Sequence, residues 1–152
     1  MQSLAMYIRR INFLVAKGGG LLIGVDLKKD AAILEATYND AQGVTAEFNL
    51  NILAYINRSL GADFGLGNFA HRAFYHAEKG RIEMHLVSLL QQEVRIGGRI
   101  YAFKAAETVH TENSYKYSIE EFHQLAEQTG LIQIKVWVDS KKLFSVHFLV
   151  GP

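Results

Sequence analysis

The sequence predicts a mixed α/β fold that carries an antiparallel β-hairpin insertion. Three observations point there. Near the start, apolar residues recur at helical spacing, and a glycine turn leads from them into a short apolar run, Leu21-Leu22-Ile23-Gly24-Val25. From about 70 to 117 the style changes to short alternating strands punctuated by glycine turns. Ser118-Ile119-Glu120-Glu121 then reads as a capping box that opens a helix, and two more strands follow.

The 152 residues fit a single domain, 1–152, in which a chain of that length buries roughly 70% of its unfolded surface. Sixteen Lys and Arg stand against 15 Asp and Glu, a net charge of +1. That balance offers no electrostatic case for nucleic acid or for an acidic membrane surface. There is no cysteine, which excludes a disulfide framework and a thiolate metal site and suits a reducing cytoplasm. No apolar run is long enough to span a bilayer, and the start lacks the pattern of a signal peptide. A cytoplasmic location is expected.

Leu4, Tyr7, Ile8, Ile11, Leu14 and Val15 mark one face of a helix that Lys17 and Gly18 would end. Leu21 to Val25 suits a strand covered on both faces, as in a parallel sheet of a doubly wound fold. Asp26 stands at its C-terminal end, either at a site edge or as a solvated or capping aspartate. Asp30 caps a helix with Ile33, Leu34 and Tyr38, and Asn39-Asp40-Ala41-Gln42-Gly43 interrupts it. A longer helix, about Thr45 to Leu60, places Phe48, Ile52, Tyr55 and Ile56 on one face and stops at Gly61. The corner between these helices gathers Tyr38, Asn39, Asp40, Thr45 and Asn49, while capping and turn geometry account for about two of them.

Strands at about 70–77 and 81–90 join through Glu78-Lys79-Gly80, with Ile82, Met84, Leu86 and Ser88 on one face. Gln92–Ile96 and Arg99–Phe103 pair across Gly97-Gly98. The helix from Ser118 buries Phe122, Leu125 and Ala126 and stops at Gly130. Leu131–Val138 and Phe144–Val150 form a last antiparallel hairpin.

The stretch His110-Thr111-Glu112-Asn113-Ser114-Tyr115-Lys116-Tyr117 has a polar side chain at nearly every position and is held between regular elements. It is either a solvated connection or a site carried on one. In extended chain, Glu112, Ser114 and Lys116 share a face, and a carboxylate beside a hydroxyl suits a donor-rich ligand such as an imidazole or an amine. A metal site is set aside: His71, His76 and His85, with Glu83 nearby, show no convergence in sequence. Gly18-Gly19-Gly20 precedes a strand, whereas a phosphate-binding loop follows one.

Four blocks resemble one family. They are residues 19–30, Tyr38-Asn39-Asp40-Ala41-Gln42-Gly43-Val44-Thr45-Ala46-Glu47-Phe48-Asn49, Arg81-Ile82-Glu83-Met84-His85-Leu86, and the polar stretch His110 to Tyr117. In order and nearly to full length they resemble the histidine-specific, S-adenosylmethionine-dependent methyltransferases, enzymes of ergothioneine biosynthesis among them. The resemblance implies the C-terminal portion of a Rossmann-like class I methyltransferase sheet, with about 70–117 as a substrate-side insertion. It implies a substrate site in which Tyr38 helps hold the substrate carboxylate and Glu112 and Ser114 hydrogen-bond the imidazole. Thr45, Phe48 and Met84 would lie around the substrate. For Phe48 and Met84 the resemblance alone implies a role. No residue is singled out as catalytic.

The family's cofactor is S-adenosylmethionine, and its glycine-rich site lies in a half that this sequence does not contain. The expectation is therefore one half of an enzyme acting on the amino group of histidine or a related amino acid. The alternatives are a catalytically inactive, truncated relative serving as a ligand-binding or oligomerisation module, or a non-functional remnant. An incomplete sheet should leave Leu21–Val25 with an unpaired edge and an uncovered apolar face, to be met by a homodimer partner or a separate N-terminal half.

Overall fold

The computed structural model describes Met6, residues 8–11, Phe13 and residues 18–151. The described residues before Gly18 are helical, and Ile8 among them is buried; Leu4, Tyr7, Leu14, Val15 and Lys17 lie outside the described residues. The fold is mixed α/β with antiparallel sheets. In chain order it runs β1 (Gly20–Asp26), α1 (Ala31–Tyr38), α2 (Val44–Leu60), β2 (Phe69–His76), β3 (Arg81–Ser88), β4 (Gln92–Ile96), β5 (Arg99–Phe103), β6 (Thr108–Tyr115), α3 (Ile119–Gln128), β7 (Ile132–Val138) and β8 (Phe144–Val150). These elements form two compact units, one of Met1–Lys29 with Tyr115–Pro152, the other of Asp30–Ser114.

In the first unit the strand order is β1-β8-β7. β8 is antiparallel to both neighbours, so β1 and β7 run in the same direction on either side of it. Alternation along β1 sends Leu21, Ile23 and Val25 inward, against Phe122, Leu125 and Ala126 of α3 and Leu149 of β8. Ser118 and Glu121 form the expected capping box, and Lys28 pairs with Glu121. The β7–β8 connection is built on Asp139, whose carboxylate accepts from the backbone N–H groups of Lys141, Leu143 and Phe144.

The expectation for β1 is corrected twice: it pairs antiparallel with β8 instead of within a parallel sheet, and it is covered on one face only. Leu22 is 64% exposed, and Phe144 and Trp137 stand exposed on the same side of the sheet. The reason is that α3 supplies apolar cover to the inner face alone. Two glycines make the outer face flat enough for β8's rings to lie across β1. A Cβ on Gly20 would come within 2.6 Å of the Phe148 ring, and one on Gly24 within 2.6 Å of the Phe144 ring.

At the C-terminal end of β1, Asp26 joins two lysines. Its Oδ2 is 2.6 Å from the Nζ of Lys116, whose side chain is 1% exposed, and its Oδ1 is 2.6 Å from the Nζ of Lys29. Lys29 also donates to the Leu143 carbonyl at 2.9 Å. Burial alone would raise the Asp26 pKa; the two ammonium groups outweigh it and hold the carboxyl below its ordinary value. Beside the pair, Tyr117 N–H donates to the Asp26 carbonyl and Lys28 N–H to the Tyr117 carbonyl, a short parallel bridge.

The inner face of β8 also holds a polar chain. His147 Nδ1 lies 3.0 Å from Gln133 Oε1, an acceptor, so Nδ1 carries the proton and Nε2 accepts from Ser145 Oγ at 2.9 Å. Hydroxyl, imidazole and amide stand in the order of an activated serine. Yet Ser145 and His147 are both buried in the core, so the chain is a packed structural network with no path for a substrate.

The second unit contains a sheet of order β2-β3-β6, the β4–β5 hairpin and the helices α1 and α2. Both expected hairpins are present. Phe69 pairs with Ser88 through to His76 with Arg81, and Gly97 and Gly98 turn the second hairpin with φ of 54° and 82°. Ile82, Met84, Leu86 and Ser88 are buried together, as their alternation predicts. The expected core face of α2 is corrected. Phe48, Ile52 and Tyr55 are exposed, while Asn49 and Leu53 are buried and Leu50 and Ile56 pack beside them. Helical spacing allows either stripe to face inward; Leu53 found its partners in Phe64, Phe69, Leu86 and Val94.

Two outcomes are expected. Asp26→Asn removes the carboxylate facing the buried Lys116 ammonium and should cost about 2–4 kcal/mol in urea unfolding, with part recovered by adding Lys116→Met. Burial, helped by the charge of His123, holds the His147 imidazole below its ordinary value of 6.5. Between the two values the unfolded chain binds the extra proton. Stability is therefore full above pH 6.5 and falls as pH drops through the window below it. Unfolding free energies measured across that window should show the slope, and His147→Gln should reduce it.

Candidate functional site

The end of α1 is stitched to the edge of β2. Asn39, the C-cap, uses its side-chain amide as a strand would: Nδ2 donates to the Ala73 carbonyl at 2.9 Å, and Oδ1 accepts from the Ala73 N–H at 3.0 Å. Glu35 Oε1 accepts from the Tyr75 N–H at 2.9 Å. His71 Nε2 donates to the Tyr38 carbonyl at 2.8 Å, which leaves Nδ1 to accept from Asn49 Nδ2 at 2.9 Å. Asn49, buried on α2, also reaches the His85 carbonyl at 3.2 Å. An edge strand has backbone groups to satisfy, and side chains of α1 satisfy them here.

This stitching fixes Tyr38, whose phenol oxygen lies 2.7 Å from Ser114 Oγ. The contact joins two sequence blocks 76 residues apart. Tyr38 also packs on the cluster of Leu34, Ala73, Ile82 and Met84. Thr111 Oγ1 donates to the Met84 carbonyl at 3.0 Å, tying β6 to β3 at that residue. Tyr38, Met84 and Ser114 are thus brought together.

The other candidates fall around them. Thr45 opens α2, where Asp40 accepts from the backbone N–H groups of Thr45 and Val44, both at 2.9 Å. Those bonds, first of all the one from Thr45, hold the Asp40 carboxyl below its ordinary value. Asp40 and Asn39 are therefore the two corner residues that capping explains, and Asn49 belongs to the His71 network. Phe48 is 66% exposed on α2, and Glu112 is exposed on β6. Met84 is buried, so it shapes the floor of the cluster through packing. Asp26 is accounted for by its lysines in the first unit.

Sequence reasoning missed the His71–Asn49 pair, since only the fold sets a helix residue beside a strand residue 22 positions away. It also missed a polar trio of Glu83, His85 and His110, whose ligand atoms lie within 4.8 Å of one another. The signal in sequence was the Glu-x-His spacing on one strand; the partner from β6 could not be read. No helix among the described residues is long and apolar enough to cross a membrane.

Residues 2–150 match the family described as histidine-specific, SAM-dependent methyltransferase. The chain is 39% identical over 137 residues to the histidine N-alpha-methyltransferase of Mycobacterium tuberculosis, covering 89% of this chain and 43% of that protein. It is 31% identical over 143 residues to an L-tryptophan methyltransferase of Psilocybe serbica, covering 90% of this chain and 39% of that one. Among solved structures, an S-adenosylmethionine-dependent methyltransferase from Clostridium acetobutylicum superposes with a TM-score of 0.46 at 11% identity, over 99% of this chain and 51% of that chain. The chain spans about two fifths of the length of these two curated relatives.

Proposed function

The chain belongs to the histidine-specific, S-adenosylmethionine-dependent methyltransferases, and on that premise we propose that it is the substrate-side part of an enzyme that methylates the amino group of histidine or a related amino acid. The observation that carries the proposal is the 2.7 Å contact between Tyr38 and Ser114. It unites two of the blocks that resemble the family, at the end of α1 and the end of β6. In this proposal Tyr38 holds the substrate carboxylate and Ser114 the imidazole, exchanging their mutual bond for bonds to the ligand. Glu112, exposed two residues along β6, orients the ring by accepting from it. Thr45, Phe48 and Met84 complete the surroundings. A tryptophan-methylating relative supports leaving the side chain of the amino acid open.

Methyl transfer to an amine needs a nitrogen lone pair held in line with the donor carbon, so orientation is the main task of these residues. Family membership implies S-adenosylmethionine as the donor. In this proposal the donor's glycine-rich site is not carried by the described residues; in support, β1 enters α1 through Leu27-Lys28-Lys29-Asp30, and β6 enters α3 through Lys116-Tyr117-Ser118. Both connections lack the glycines that let backbone approach such a ligand. We place the donor site on a further part of the enzyme or on a separate N-terminal half. The exposed outer face of β1 and β8, at a sheet edge, suits such a half or a second copy.

Calorimetric titration of L-histidine should give binding that Glu112→Ala weakens by about 10–100-fold, the worth of a hydrogen bond to a charged group. Glu112 is exposed, so circular dichroism should be unchanged. Equal affinity for both proteins would remove Glu112 from the site, and S-adenosylmethionine binding by this chain alone would overturn the half-pocket assignment. Light scattering should find the chain self-associated; a well-behaved monomer would count against a homodimer through the β1 edge.

A further inference from the structure

Strand periodicity puts Glu83 and His85 on one face of β3, and His110 meets them from the neighbouring β6. The imidazoles of His85 and His110 stack with centroids 4.6 Å apart and planes 11° apart, and Phe74 lies on the other side of His85 at 5.3 Å. Glu83 Oε2 is 3.4 Å from His85 Nε2. Two donors bound to one zinc ion at tetrahedral angles stand about 3.4 Å apart. We propose that Glu83, His85 and His110 form a binding site for a divalent transition metal of the zinc type. The proposal does not rest on the functional assignment above.

The chemistry of each donor suits that role. Arg81 holds the other oxygen of Glu83, with Nε at 2.9 Å and Nη2 at 2.5 Å, and keeps its pKa down at about 2. A ligating carboxylate is commonly oriented by such a partner. Burial keeps the His85 imidazole below its ordinary value, and binding through Nε2 requires that nitrogen to give up the proton it shares with Glu83 Oε2. His110 is exposed. Its Nε2 donates to the Glu112 carbonyl at 3.1 Å, so its lone pair is on Nδ1. Its ring stacks parallel to His85, and binding requires it to turn toward the ion, which exposure permits.

Two nitrogens and a carboxylate oxygen favour zinc or cobalt over magnesium or calcium. Three protein ligands leave a fourth position for water. Lys79, Arg81 and Arg72 put positive charge nearby, so the affinity should fall below that of a four-ligand structural site. Bound metal would pin β6 to β3 two residues before Glu112.

The test is titration of the metal-stripped chain with zinc by calorimetry and with cobalt by visible absorption. One equivalent should bind, with the intense bands of four-coordinate cobalt. His110→Ala removes an exposed side chain, so it should keep the fold while weakening binding by about 100-fold or more. His76→Ala, at the end of β2 on the same hairpin but outside the trio, should bind as the parent does. Absence of saturable binding to the parent chain, or equal binding by the parent and His110→Ala, would overturn the site.

Discussion

The ion pair of Asp26 and Lys116 is the constraint from which the first unit is built. A lysine ammonium that is 1% exposed is tolerable only beside a carboxylate. Asp26 meets that need from the end of β1, and Lys29 and the parallel bridge between Leu27 and Tyr117 lock the same spot. These residues are also where the chain leaves the first unit, after Lys29, and where it returns, at Tyr115. The long excursion between them therefore begins and ends on charges held within ångströms. An aspartate whose place on a strand allowed either a site edge or a solvated cap is held by two lysines where the chain leaves the first unit.

Within the second unit, the equivalent device is neutral. β2 has β3 on one side only, and α1 serves its other edge with Glu35, Tyr38 and Asn39 in place of a strand. That substitution protects an edge from further pairing. It also sets the direction of Tyr38, because the carbonyl of Tyr38 and the side chain of the next residue are both bound to β2. The ligand-holding role proposed for Tyr38 would gain from such support, since a side chain must be ordered before it can orient anything.

Both units leave apolar surface exposed. In the first it is the outer side of β1, β8 and β7, with Leu22, Phe144 and Trp137; in the second it is the Phe48, Ile52 and Tyr55 stripe of α2. Exposed faces of this kind mark places where other surfaces dock. Gly20 and Gly24 belong to this design, because a side chain at either would collide with a phenylalanine ring of β8.

Local chemistry was legible in the sequence by itself. The capping box at Ser118, the Gly97-Gly98 turn, the Asp30 cap and the alternation of β3 are set by neighbours in the chain, and the structure keeps each of them. The family, too, was readable from short blocks. What the sequence left open depends on which distant groups meet. Period alone could not choose between the two apolar stripes of α2. Nor could it pair Asp26 with Lys116, His71 with Asn49, or His110 with His85, because strand order and register decide those contacts. Tertiary structure made the decisions through burial: a lysine, an asparagine and a histidine went inside, and each needed a partner that only the fold could bring.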